Sequence, residues 1–181
     1  MSAGLNTSEI RVGGRRVFFG PAGSETELGH TDEGSVLIIE QDQADITTEE
    51  YGVSPIKKVH NGERVRCELV MKQFDPAQLL AAIPTSTAGT GTDTASVYGG
   101  RIAGIDLSST TYAKRLRLHP IETTNTATET SNIYIHLAIP RPGPITARFN
   151  NREARMVAVI FDGIVDTTQT DGQRLYRIRQ S

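Results

Sequence analysis

The chain contains no tryptophan, a single cysteine (Cys67), and only five tyrosines and five phenylalanines in 181 residues. One cysteine excludes an internal disulfide and any cysteine-built metal cage. A small secreted domain without a bridge is unusual, so synthesis and folding are expected in a reducing cytoplasm. Aromatics this sparse, none of them set in a basic stripe, leave no stacking platform for single-stranded nucleic acid or sugars. A formal net charge of −2 removes the global basic signal of a nucleic-acid binder. No stretch approaches the ~18 apolar residues of a membrane span. The N-terminus, MSAGLNTSEIRVGGRR, has no continuous apolar segment of the secretion-signal kind. With 37% hydrophobic and 22% charged residues, wholesale disorder is excluded as well.

Catalytic signatures are missing too. There is no Gly-x-Ser-x-Gly elbow. Gly89-Thr90-Gly91-Thr92-Asp93 lacks the lysine of a phosphate loop and the strand before it. The four histidines, His30, His60, His119 and His136, form no His-x-x-x-His pair. Acid pairs such as Asp32-Glu33 and Glu49-Glu50 sit in polar stretches where they are solvated rather than placed in a cleft. Cys67 falls on the apolar side of a strand, as a small buried hydrophobe rather than a nucleophile. The expectation is a protein without catalysis, cofactor or metal.

What is present is β-signal. Val65, Cys67, Leu69 and Met71 alternate with Arg64, Arg66, Glu68 and Val70, a period of two with one face toward a core. Leu116 and Leu118 alternate with Arg115, Arg117 and His119. Ile133, Ile135, Leu137 and Ile139 alternate with Tyr134, His136 and Ala138. Residues 156–165 form a nearly continuous apolar run, which predicts a strand covered on both faces. Tyr176 and Ile178 opposite Leu175, Arg177 and Arg179 predict a charged edge strand. Asp75-Pro76 reads as an N-cap followed by proline at the first helical position. The helix runs to Ile83 and stops at Pro84, with Leu79, Leu80 and Ile83 able to cover an open sheet face. The Thr/Gly-rich stretch 84–104 reads as a long loop. Residues 122–131 read as a hairpin end, and the prolines of "IPRPGPITARF" as a corner. The sum is a mainly β domain, a β-sandwich or flattened barrel with one flanking short α-helix and a long inter-strand loop. One domain spans 1–181, with an N-terminal arm at 1–16 and the long loop at 41–62.

Charge is segregated along the chain. Nine acids and no lysine or arginine lie between Pro21 and Ile56, while seven arginines lie between Arg141 and Arg179. Such a pattern predicts either one acidic and one basic surface or simply solvated strand faces and loops.

The order of features resembles the tail tube (major tail) proteins of long-tailed bacteriophages. The residues that carry the resemblance are Phe18-Phe19-Gly20, the turn Gly29-His30-Thr31-Asp32-Glu33-Gly34, and the strand Val36 to Glu40. They continue with the polar excursion holding Tyr51-Gly52-Val53-Ser54-Pro55, then Gly62-Glu63 opening the strand Arg64 to Lys72, and last the helix at Asp75 to Ile83. The resemblance implies a virion structural protein made in the host cytoplasm. Six copies would form a ring, and rings would stack into a tube that guides genome ejection. Its partners would be itself, the tape measure, terminator and baseplate or distal tail proteins, and DNA passing through without specific binding, with no membrane. The injection tubes of bacterial secretion systems share that fold. Other readings are a head decoration or tail-terminator protein, or a non-catalytic β-sandwich binding module.

Under this resemblance the 41–62 loop is an arm that docks on a sister subunit. A loop of such length inside a compact domain is unusual unless it has a function, and a partner surface would offset the entropy of ordering it. Ile46, Tyr51, Val53, Ile56 and Val59 are the expected apolar anchors. Glu49 and Glu50 against Lys57 and Lys58 would set register across a head-to-tail contact. A lumen for DNA favours a neutral or acidic wall, because a basic one would bind phosphates and stall passage. Glu40, Asp42 and Asp45 are the lumen-facing candidates.

Overall fold

The computed structural model describes residues 14–29, 31–47, 49–51, 53–71, 75–93, 95–100, 103–121, 131–142 and 157–179. Strands β1 (Arg15–Gly20), β2 (Thr26–Glu27), β3 (Thr31–Ile46) and β4 (Lys57–Met71) come first, followed by helix α1 (Pro76–Ala82). Then come β5 (Thr87–Ala88), β6 (Val97–Tyr98), β7 (Lys114–Pro120), β8 (Ile133–Pro142), β9 (Val157–Ile164) and β10 (Tyr176–Ile178). The main sheet is antiparallel, in the order β2-β1-β7-β8-β9-β4-β3, with β10 also on β8; β5 and β6 form a separate small hairpin. Residues 122–130 of the expected hairpin end, 143–149 of the expected proline corner and 1–13 of the N-terminal arm lie outside the described residues, and the first part of that corner, 139–142, instead continues strand β8.

The sheet folds over on itself. Phe19 of β1 and Phe161 of β9 have two strands between them, so in a flat sheet they would lie about 14 Å apart. Their ring centroids are 4.9 Å apart at 51°. The two halves therefore face each other, and the inward residues of each strand fill the space between. These are Val17 and Phe19, Leu116 and Leu118, Ile135 and Ala138, Val157, Val159 and Phe161, and Val65, Cys67, Leu69 and Met71. The architecture is a β-sandwich flanked by one short helix, as the alternation of these side chains predicts.

Helix α1 begins as its sequence dictates. Asp75 has extended backbone angles (φ −100°, ψ 144°), and its carboxylate accepts from the Ala77 N–H at 3.4 Å, with Pro76 opening the helix. Such a cap is worth about 1 kcal/mol. The buried face differs from expectation. Gln78 and Ala82 are the most enclosed helical residues, while Leu79 and Leu80 are half-buried. The long loop at 84–104 carries the β5–β6 hairpin, where the Asp93 carboxylate accepts from the Tyr98 hydroxyl.

Two strand expectations need correction. β8 does not keep one face throughout. Lys114 pairs with Ala138 but Leu116 pairs with Ile135, so β8 carries an extra residue at this point. The core side passes from Ile135 to Ala138 and Pro140, and Leu137 and Ile139 are left half-buried. β9 is covered on one face only. Val157, Val159 and Phe161 are sealed, whereas Ala158 is exposed and Ile160 half-buried. The outer side of β3, β4, β9 and β8 is thus an open sheet face, with Val36 56% exposed.

The outer side of β1, β7 and β8 is closed by a polar cluster. The carboxylate of Glu25, with its side chain only 4% exposed, is paired with Arg115 and lies 3.9 Å from Arg117. Arg117 stacks over Phe18 at 4.3 Å and Arg115 over Tyr134 at 5.0 Å. Asn132 donates to the Tyr134 hydroxyl at 2.9 Å, so its Oδ1 accepts from Nδ1 of the fully buried His119 at 2.6 Å. Gly20 permits the approach of Glu25. With φ 157°, a Cβ there would stand 2.9 Å from the Glu25 Cα.

Candidate functional site

The excursion at 41–62 is mostly β-structure. β3 continues to Ile46 and β4 starts at Lys57, so the connection proper is only 47–56, with a 3-10 turn at Glu49–Tyr51. β4 pairs with β9 from Arg66 to Met71 and no earlier. Beyond that point β3 and β4 pair only with each other, from Ile39↔Val65 out to Ile46↔Lys57. Six residue steps from Glu40 to Ile46 carry this ribbon about 20 Å, before the turn is counted.

A bulge divides the ribbon. Asp42 pairs with Gly62 and Gln43 with His60, leaving Asn61 as the extra residue. Gly62 has φ 150°, a region that disfavours side chains, and nothing lies within 4 Å of where its Cβ would be. This bulge is on β4, so β3 alternates without interruption from Ser35 to Ile46. Gln41, Gln43 and Asp45 therefore lie on one side of the ribbon with Lys58 and His60. Asp42, Ala44 and Ile46 lie on the other with Lys57 and Val59. One side is polar. The other carries Ala44, Ile46 and Val59 and continues the open outer face of the body.

Fixed contacts along the ribbon are side chain to side chain and exposed. Arg66 donates to Glu40 at 3.1 Å and lies 3.6 Å from Glu68. Gln41 donates to Glu63 at 2.6 Å, and Lys58 meets Asp45 at 3.0 Å. At the tip, the Ile56 N–H donates to the Ile46 carbonyl at 2.9 Å. Val53 is 97% exposed, Ile56 52% and Ile46 43%.

These positions sort the expected site residues. Ile46, Val53 and Ile56 are exposed and Val59 half-buried, so all four can meet a partner. Glu49 and Glu50 occupy the exposed 3-10 turn with Tyr51, whose side chain lies outside the described residues. Lys57 and Lys58 are exposed at the start of β4, but Lys58 is engaged by Asp45 of its own arm rather than held for a neighbour. The three lumen candidates do not share a side. Glu40 and Asp42 belong to the outer face and Asp45 to the opposite one. Glu40 is paired with Arg66 and Asp45 with Lys58, so these acids are locally neutralised. Glu25, Glu40 and Asp45 find their cations in Arg115, Arg66 and Lys58, whereas Arg141 and Arg174 of the arginine-rich stretch pair with acids of that same stretch, Asp162 and Asp171.

Ala44 and Arg66 are functional candidates that the sequence pattern did not mark; only the ribbon's register reveals them. Among the described residues no three His, Cys, Asp or Glu side chains gather as a metal site would need. No described helix is long and apolar enough to cross a membrane. Burial, aided by the neighbouring Glu68 charge, pushes the Cys67 thiol up to about 12, far from the range of a reactive thiolate. No protein-family model matches the chain, and no curated protein is significantly similar to it in sequence.

Proposed function

We propose that this chain is the subunit of a phage tail tube, a structural protein whose copies form six-membered rings that stack around a lumen for DNA. The reading rests above all on the arm. A two-stranded ribbon alone is marginal in water, yet this one extends about 20 Å with Ile46, Val53 and Ile56 uncovered. A sister subunit offers the missing cover. The open outer face of β3, β4, β9 and β8 supports the same reading, since an apolar run such as that of β9 is suited to cover on both sides. Propagation along a tube needs a heterologous contact, because an isologous one closes after two copies.

Within this reading, of the three acid candidates only Glu40 and Asp42 share a side with the open face. A wall built from that face carries acids already paired in the plane, Glu40 and Glu68 with Arg66 and Asp162 with Arg141, and so holds DNA weakly. The tape measure, terminator and distal tail proteins are the partners expected at the tube ends.

The test is negative-stain microscopy of the purified chain beside a variant in which residues 43–60 are replaced by a two-residue Asn-Gly turn. Wild type should give hollow tubes or stacked rings, and the shortened variant isolated rings or monomers with an unchanged melting temperature. Monodisperse wild-type monomers at high concentration, or tubes from the shortened variant, would overturn the proposal.

A further inference from the structure

An apolar groove lies beside α1. It measures about 280 Å³, and its lining includes Phe19, Pro21, Leu80, Pro84, Tyr112 and Lys114. Its position relative to the arm follows from the strand directions. β4 is antiparallel to β9, and β9 to β8, so β4 runs the same way as β8. β4 begins in the arm, which therefore leaves the body toward the Ile133 end of β8. β4 finishes at Met71, shortly before α1, and Pro140 near the other end of β8 also lines the groove. Arm and groove thus point in opposite directions along the strands. A subunit cannot place its own tip in its own groove, but the next copy along the strand axis can.

The chemistry of the two surfaces matches. The tip presents Val53 and Ile56, preceded by Glu49 and Glu50. The groove offers apolar walls and a lysine. An apolar cavity of about 150 Å³ holds a benzene molecule, so this one has room for two aliphatic side chains. Lys114, half-buried, is the cationic residue in the groove's lining and a complement for Glu49 and Glu50.

We propose that this groove receives the arm tip of a sister subunit, with Val53 and Ile56 entering it and Glu49 and Glu50 meeting Lys114. The inference rests on the tube-subunit reading and supplies what that reading leaves open, the surface on which the arm lands. The contact is heterologous, so each copy both gives an arm and receives one, and stacking continues without closure. The ion pairs orient the tip and speed the encounter, while apolar burial holds it.

The test is a charge swap in the full chain, read by sedimentation of assembled particles at fixed concentration, with thermal melting as the check on folding. Lys114→Glu alone, and Glu49→Lys with Glu50→Lys, should each reduce sedimentable tubes by about tenfold, the effect of losing ~1.4 kcal/mol per contact. The triple variant should recover to within about threefold of wild type. A second measurement mixes a Val53→Cys copy with a Leu80→Cys copy under oxidation. A covalent dimer between the two should form, and the buried Cys67 stays silent. If the triple variant stays as defective as its parents while melting normally and no dimer forms, the groove is not the landing site. If the arm-shortened chain fails to form tubes while both charge variants assemble as wild type, the groove assignment falls and the tube reading stands. If wild type forms no tubes at all, both fall.

Discussion

In the body, Glu25 meets Arg115 and Arg117 with its carboxylate almost sealed from water; in the arm, Asp45 meets Lys58 at 3.0 Å with both side chains about half exposed. The same residue types give opposite energetics. The buried group is expensive to leave without its partner, whereas the exposed pair is screened and worth at most about 1 kcal/mol. The contrast extends to the apolar side chains. Phe161, Leu116 and Val159 are buried within one chain, while Val53 and Ile56 face solvent. One region is closed by its own side chains, whereas the other is held by its own ladder and leaves its apolar side chains uncovered.

Truncating Phe161 tests the body's self-sufficiency. The ring is fully buried and touches Phe19 across the folded sheet. Phe161→Ala removes that bridge and leaves a cavity, at a cost of about 3–5 kcal/mol. Urea denaturation should show the midpoint falling with little change in slope. A loss below about 1 kcal/mol would mean the two halves of the sheet do not depend on this contact.

Glu25→Gln comes next. It keeps size and removes charge, leaving Arg115 and Arg117 enclosed without their counter-ion. The expected loss is about 3 kcal/mol, the low end for a broken buried pair because the Arg115 side chain is about a quarter exposed. If the variant melts like wild type, the cluster is not what fastens residues 21–28 against β7.

Much of the body is legible in the sequence, and little of the arm's form is. The β4 alternation is visible because one face of that strand is buried, so apolar side chains are required at every second position. Asp75-Pro76 is visible because capping is local. Residues 40–45, Glu-Gln-Asp-Gln-Ala-Asp, carry no such signal. They are strand only because β4 pairs with them, and a ribbon that meets the body where His60 and Glu63 share a cleft with Asp171 and Arg174 does not have to be apolar along its whole length. The face change in β8 was hidden by an unbroken alternation from Ile133 to Ile139, which one extra residue at 136–137 re-aims. Glu25 reads as one more surface acid in the sequence, because the arginines that bury it are 90 positions away or more. What the sequence does show of this region is its length, a long polar excursion between two strand signals, into which β3 and β4 extend.

The pH dependence of stability gives a smaller effect and locates it. His136, half-buried on β8, has its pKa lowered first by burial and then by Arg115 and Arg177, with Asp166 acting in the opposite sense. Its folded pKa therefore lies below 6.5, and the unfolded chain binds more protons in between. Stability is fully present above pH ~6.5 and declines as pH falls through the window down to the folded value. Asp166, held below the usual carboxylate range mainly by the Thr168 hydroxyl, contributes its own loss only at more acidic pH, below about 4. His136→Gln should flatten the stability profile just below pH ~6.5. An NMR titration placing the His136 midpoint at or above 6.5 would refute the assignment.

The smallest effect is expected in the arm. Asp45→Asn removes the ion pair with Lys58, whose two side chains are 47% and 63% exposed for Asp45 and Lys58 respectively. The melting temperature should move by no more than about 1–2 °C, because an exposed pair contributes a few tenths of a kcal/mol and the arm adds little to the cooperative unit. The amide hydrogens of residues 43–46 and 57–60 should already exchange far faster than those of β4 beyond Val65. What should change is that freeing Lys58 makes the isolated ribbon fray further, raising exchange at Asp45 and Lys58 about two- to threefold while core amides stay unchanged. A variant that instead lowered protection throughout the core would show that arm and body unfold together, and the division drawn between them would not hold.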